Sequence, residues 1–205
     1  MKSLDGLRDF CLELSEDKPS PGGGSAAAAA GAMGASLFIM VCGITRKKKA
    51  YQEHLAELQT MEEELLRLRN DLLKLSGQDS DAYDRVVEAS RRKRENDNPG
   101  TAKDYRDAVR EATEVPRRTA TACMRLLEIA PRLAAIGARS ASSDTGVGTR
   151  LAEVGVRGAA MNILINLRDS SDPGYVKNVG EELMTRGERA NALMKEALAI
   201  LDRPA

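Results

Sequence analysis

Three consecutive glycines, Gly22, Gly23 and Gly24, open an alanine-rich stretch in the run Pro19-Ser20-Pro21-Gly22-Gly23-Gly24-Ser25, followed by Ala26 to Ala30. Glycine loses more backbone entropy on ordering than any other residue, so three at the mouth of a helix imply a use for bare backbone. Two uses fit. Another element packs close against the turn, or the unpaired amides at the helix start bind a ligand group. The Gly-Lys-Ser/Thr ending of a phosphate loop is missing. Asn162 and Asn166 are four residues apart and share one side of a helix. Amides there either hydrogen-bond a ligand or tie packed helices together. Ser143-Asp144 offers a carboxylate that either accepts a proton or caps the helix that follows. Arg46-Lys47-Lys48-Lys49 is a basic patch, read as an anion site or a solvated helix start, and Tyr51 follows it. Asp81 is a possible second carboxylate, or a surface or capping residue.

The remaining composition removes other chemistry. A single histidine, His54, leaves no His-based metal site or His-dependent triad. The three cysteines Cys11, Cys42 and Cys123 form no paired motif and read as thiols of a reducing compartment. Lys+Arg and Asp+Glu are both 31, and aromatics are only 3%, so nucleic acid is not an expected partner. Met1 to Asp17 is amphipathic and charged, unlike a secretory leader. Ser25 to Thr45 is uncharged over nearly a bilayer's thickness, but Ala, Gly and Ser dominate it. It reads as the central helix of a bundle, with no membrane partner.

These groups need helices to hold them. Leu4, Leu7, Cys11 and Leu14 mark a helix over Leu4 to Ser15. Ser25 is expected to cap the next, which ends near Cys42 or Gly43. Arg46 opens a long charged helix with a seam at Leu55, Leu58, Met61, Leu65, Leu68, Leu72 and Leu75, stopped at Gly77. Asp79 or Ser80 caps a short helix, and Arg91 to Gly100 is a polar turn. Helices follow over Lys103 to Glu114, from Pro116 past Ile129 with a kink at Pro131, over Val147 to Leu167, and from Pro173. Val176, Val179, Leu183, Met184, Leu193, Leu198 and Leu201 are its core candidates. No segment alternates with period two. The expectation is an all-α fold, a single bundle of long helices with short connections, forming one domain over 1–205.

Two segments together resemble the cyclodeaminase/cyclohydrolase family. One is Pro19 to Thr45 through the basic patch to Tyr51. The other is Ser142-Ser143-Asp144-Thr145-Gly146-Val147-Gly148 followed by Gly155 to Leu167. Asp81-Ala82 and Ala112-Thr113-Glu114-Val115-Pro116 match more weakly between them. The resemblance implies a cytoplasmic, metal-free homodimer without a cofactor, acting on one-carbon tetrahydrofolates. Family chemistry is hydrolysis of 5,10-methenyltetrahydrofolate to 10-formyltetrahydrofolate, or loss of ammonia from 5-formiminotetrahydrofolate. Where family members often carry asparagines, this chain has Ala138-Arg139-Ser140-Ala141.

On that resemblance Asp144 is the expected general base, and the cyclohydrolase is the leading reading with the cyclodeaminase behind it. Gly22, Gly23, Gly24, Ser25, Lys48, Tyr51, Asp81, Ser143, Asn162 and Asn166 are the expected substrate contacts, with Lys48 facing the glutamate tail of a folate. A non-catalytic helical interaction protein, built on the leucine seam, is the alternative of another class.

Overall fold

Six α-helices form the fold of this computed structural model, which describes residues 4–203. They are α1 (Asp5–Leu14), α2 (Gly23–Arg46), α3 (Leu55–Glu95), α4 (Pro99–Ile136), α5 (Ser142–Leu167) and α6 (Pro173–Leu201). Short 3₁₀ turns at Lys49–His54 and Arg139–Ala141 precede α3 and α5. No strand occurs among the described residues, so the all-α bundle holds.

Helix α2, uncharged until Arg46 at its end, is the axis, with α3, α4 and α5 packed on it and α6 lying outside on α4 and α5. By length and composition α2 could cross a membrane, but more than half of its apolar window is buried among the other helices. Its small residues set that packing. A Cβ on Gly34 would lie 2.8 Å from the Gly148 carbonyl oxygen, and one on Gly148 would lie 2.6 Å from the Phe38 ring. Backbone thus meets backbone between α2 and α5, an approach only glycine permits.

The leucine seam of α3 points into the same core: Leu58, Leu65 and Leu72 are fully buried and Leu75 nearly so. Met61 and Leu68 pack partly against them, while Leu55 is exposed. Leu126, Leu127 and Leu133 of α4 complete the interior.

Several boundaries differ from the sequence expectation, each for a physical reason. Gly77 does not stop α3, which runs on to Glu95. Gly77 is exposed, and a glycine inside a helix costs only about 1 kcal/mol. Burial of Leu75, Ala82 and Ala89 on either side outweighs it. Asp79 and Ser80 therefore lie mid-helix, and the turn shrinks to Asn96–Asn98. Asn98 caps α4, accepting the Gly100 and Thr101 amides. Arg46 ends α2 instead of opening α3.

Pro116 and Pro131 both lie inside α4, which starts at Pro99. Proline has no N–H, so Pro116 leaves the Ala112 carbonyl without its helical donor. Asn166 of α5 supplies one, its side-chain amide donating to Ala112 O at 2.6 Å. Ser25 does not cap α2. The helix begins two residues earlier, with Gly22 at the cap and no side-chain cap bond. Of the α6 core candidates, Val179 and Leu193 are buried, whereas Met184 is 72% exposed.

Candidate functional site

The glycine turn gathers one cluster of polar groups at the start of α2. Ser25 is fully buried, and its hydroxyl lies 2.8 Å from the Ser76 carbonyl oxygen. It also reaches Asp79 Oδ2 and Ser80 Oγ, each at 3.3 Å. Ser76 Oγ returns a bond to the Ser25 carbonyl at 3.0 Å. The Asp79 carboxylate is thereby clamped over the helix start. A Cβ on Gly24 would fall 2.2 Å from Asp79 Oδ1. Burial pushes the Asp79 carboxyl above its usual range, opposed by the Ser25 hydroxyl and the Ser25 backbone amide. Asp79 thus partners, from α3, the Ser25 backbone amide in the first turn of α2.

Asn162 stands against the other side of this turn. A Cβ on Gly23 would lie 3.5 Å from the Asn162 side-chain nitrogen, which donates to Gly158 O at 2.8 Å. Gly23 itself is exposed, Gly22 half-buried and Gly24 buried. The Gly23 and Gly24 amides have no hydrogen-bond acceptor among the described residues. Of the two, only Gly23 is exposed, so the turn offers one free N–H beside one amide side chain. Asn166 sits one helical turn further on, and its nitrogen is committed to the Ala112 carbonyl.

A second cluster lies at the opposite end of α2. Lys48 Nζ donates to Ser140 Oγ at 2.6 Å, and the Tyr51 hydroxyl accepts the Arg139 amide at 3.3 Å. The Thr45 hydroxyl accepts the Ala138 amide at 2.9 Å and donates to Val41 O at 2.7 Å, pinning this turn to α2. Ser143 (exposed) and Asp144 (half-buried) follow in the first turn of α5. Asp144 makes no side-chain hydrogen bond among the described residues, and α5 has no side-chain cap. Arg46 is drawn away from the basic patch by an ion pair with Glu62 at 3.0 Å, leaving Lys47 and Lys49 exposed.

The two clusters do not meet within one chain. Asp144 and Asn162 stand on the same helix 18 residues apart, a separation of about 27 Å at 1.5 Å per residue. Asp81 joins neither cluster. It is exposed on α3, about 200° around the helix from Asp79.

Sequence reasoning missed Ser76 and the role of Asp79. The signal was present in the seven-residue step Leu58, Leu65, Leu72, which continues through Leu75 to position 79 on the same inward face. Treating Gly77 as a stop hid it. The thiols supply no nucleophile within the core, because burial pushes Cys42 and Cys123 up to about 12. Among the described residues no three His, Cys, Asp or Glu side chains converge to hold a metal ion.

Known proteins resemble this chain over most of its length. Residues 6–185 match the sequence profile of formiminotransferase-cyclodeaminase. A methenyltetrahydrofolate cyclohydrolase of Methylorubrum extorquens is 32% identical over 205 residues, covering 99% of this chain and 95% of its own. The formimidoyltransferase-cyclodeaminase of Sus scrofa is 29% identical over 96% of this chain, which spans 36% of that longer protein. A solved structure of formiminotetrahydrofolate cyclodeaminase from Thermotoga maritima superimposes with a TM-score of 0.87 at 30% identity, over 96% of this chain and 95% of that one. The chain belongs to the formiminotransferase-cyclodeaminase family.

Proposed function

We propose that this chain hydrolyses 5,10-methenyltetrahydrofolate to 10-formyltetrahydrofolate. The observation that carries the reading is the match to the Methylorubrum extorquens methenyltetrahydrofolate cyclohydrolase, which covers 99% of this chain and 95% of that protein. The methenyl carbon is an amidinium cation and already electrophilic. Water adds to it as a base takes one proton, giving a neutral hydroxyl adduct. The bond from carbon to N5 then breaks, N5 takes up a proton, and the hydroxyl loses its own as the formyl C=O forms. One proton is released overall. The chemistry asks for a proton acceptor, donors for the adduct oxygen and a route for the proton to N5.

Asp144 is the proposed base, being an unbonded carboxylate that also favours the cationic substrate. The exposed Gly23 amide and Asn162 are the proposed donors to the heterocycle, with buried Gly24 setting the shape of the turn behind them. Ser25 and Asp79 act as positioning residues that hold the turn in place. Lys48, with Lys47 and Lys49 beside it, is proposed to take the glutamate tail, with Tyr51 and Ser143 at its edge. No metal or cofactor enters the scheme, and the proposed setting is the cytoplasm.

The reading includes a homodimer, because the two clusters are too far apart to serve one carbon. Val147, Val154, Met161 and Ile165 form a stripe on α5, each more than half exposed. Antiparallel pairing along that stripe, centred near Val154, brings Asp144 of one protomer within about a helical turn of the partner's Asn162. The whole chain, 1–205, is treated as one catalytic unit.

A second reading has its own support in the Thermotoga maritima formiminotetrahydrofolate cyclodeaminase structure. The same groups would then protonate a departing ammonia and close the ring. Loss of methenyltetrahydrofolate absorbance above the buffer rate supports the hydrolase. Ammonia release from formiminotetrahydrofolate, with no effect on methenyltetrahydrofolate, overturns it in favour of the second reading.

A further inference from the structure

Breaking the bond between the reacting carbon and N5 needs a proton at N5, and Asp144, as the base, begins with none to give. The glycine turn holds another carboxyl, Asp79, in a different state. Ser25 Oγ carries a single proton. Its shortest contact, at 2.8 Å, is the Ser76 carbonyl oxygen, which can only accept. That contact takes the proton. Two more oxygens, Asp79 Oδ2 and Ser80 Oγ, lie 3.3 Å from Ser25 Oγ. Each bonds there only by donating into one of the two remaining lone pairs. Ser80 has a hydroxyl proton for this. Asp79 has one only when its carboxyl is protonated. The Ser76 hydroxyl is no substitute, because it donates to the Ser25 carbonyl at 3.0 Å.

The surroundings favour the neutral acid. Burial is the largest influence on Asp79, and only the Ser25 hydroxyl and backbone amide act against it. Among the described residues no charged side chain on α2, α3 or a neighbouring helix contributes. Asp81, the nearest carboxyl along α3, is turned about 200° around the helix from it.

The position suits a proton donor. Asp79 borders the turn at Gly24, and Asn162 borders it at Gly23. These neighbours have Cα atoms about 3.8 Å apart, so the carboxyl and the proposed heterocycle donors edge the same few backbone atoms. Asp79 is only half-buried, which lets a bound ring meet it and water restore its proton.

We propose that Asp79 is the acid that protonates N5. The proposal rests on the hydrolase reading and adds the second member of its acid–base pair. Asp144 takes a proton from the attacking water. Asp79 gives its proton to N5 as the electron pair of the carbon–N5 bond passes to nitrogen. The adduct hydroxyl releases its proton to solvent as the formyl C=O forms. Asp144 then sheds the proton it took and Asp79 regains one, so one proton leaves per turnover.

Asp79→Asn in the full chain is the test. An amide can fill the same two bonds, its N–H donating to Ser25 Oγ and its C=O accepting the Ser25 amide, but it has no proton to transfer. Turnover of 5,10-methenyltetrahydrofolate, above the buffer rate, should fall at least about 100-fold. The melting temperature at neutral pH should stay at or above that of the wild type. Wild-type turnover should also decline as pH rises through the titration of Asp79, and the variant should lack that limb. Wild-type turnover in the variant overturns the acid role, as does a limb that is missing from the wild type or persists in the variant. A variant that melts below the wild type overturns the proton count, since the amide copies only the protonated carboxyl. A wild-type chain that consumes the substrate at the buffer rate removes the hydrolase reading itself, and this role with it.

Discussion

The substitution Gly24→Ala forces the closest approach that an added Cβ would make at any glycine among the described residues. The new methyl group would sit 2.2 Å from Asp79 Oδ1 and 2.6 Å from its Cγ and Oδ2. Aspartate is short, so the carboxylate must swing off the start of α2. Losing a helix-capping group costs about 1 kcal/mol. Stranding the buried Ser25 groups that faced the carboxylate adds about 1–3 kcal/mol. Alanine returns about 1 kcal/mol of helix propensity. The net loss is about 2 kcal/mol, or roughly 4–8 °C in melting temperature for a chain of this size. Thermal unfolding followed by circular dichroism reads it. The double variant with Asp79→Ala separates the cause. Without the carboxylate there is no collision, so Gly24→Ala should then be neutral or stabilising by up to about 1 kcal/mol. Equal losses in both backgrounds would refute the clamp.

Other outcomes follow from the same contacts. Asp144→Asn should cut turnover by at least 100-fold with the melting temperature unchanged, since the side chain bonds nothing in the fold; wild-type turnover would remove it from the mechanism. Mixing inactive Asp144→Asn and Asn162→Ala chains should restore up to about a quarter of wild-type activity if each site draws on both protomers, and no recovery would keep the clusters apart. The native carboxyl of Asp79 titrates above its unfolded value of 3.8, so its stabilising contribution is complete below that pH. The contribution is lost as pH rises through the folded value. Asp79→Asn should therefore gain stability relative to wild type as pH rises above about 4, read as the difference in melting temperature. Gly34→Ala should be more disruptive than Gly43→Ala, because a Cβ at 34 meets the Gly148 backbone whereas one at 43 meets nothing within 4 Å; comparable melting temperatures would contradict the α2–α5 packing.

The fold class was legible because periodicity at 58, 65 and 72 is a burial pattern, and burial forms the core. Helix ends were less legible where local and tertiary terms oppose each other. Gly77 and Pro116 are both breakers by local rules. The first is overridden by apolar burial on either side, the second by an amide 50 residues away in sequence. No local signal couples Pro116 to Asn166, so the pair of asparagines looked alike in the sequence. In the fold one faces the glycine turn and the other completes α4. The glycine turn was recognised, but its anchor was not, because Asp79 reaches Ser25 across 54 residues. The distance between the clusters was hidden for a related reason. Sequence spacing gives a separation only once α5 is known to run unbroken from Ser142 to Leu167.

The central claim is tested most directly by incubating the purified chain with 5,10-methenyltetrahydrofolate and identifying the product. The account predicts consumption well above the buffer rate, with 10-formyltetrahydrofolate formed in equal amount. Consumption at the buffer rate by a fully folded chain would contradict it.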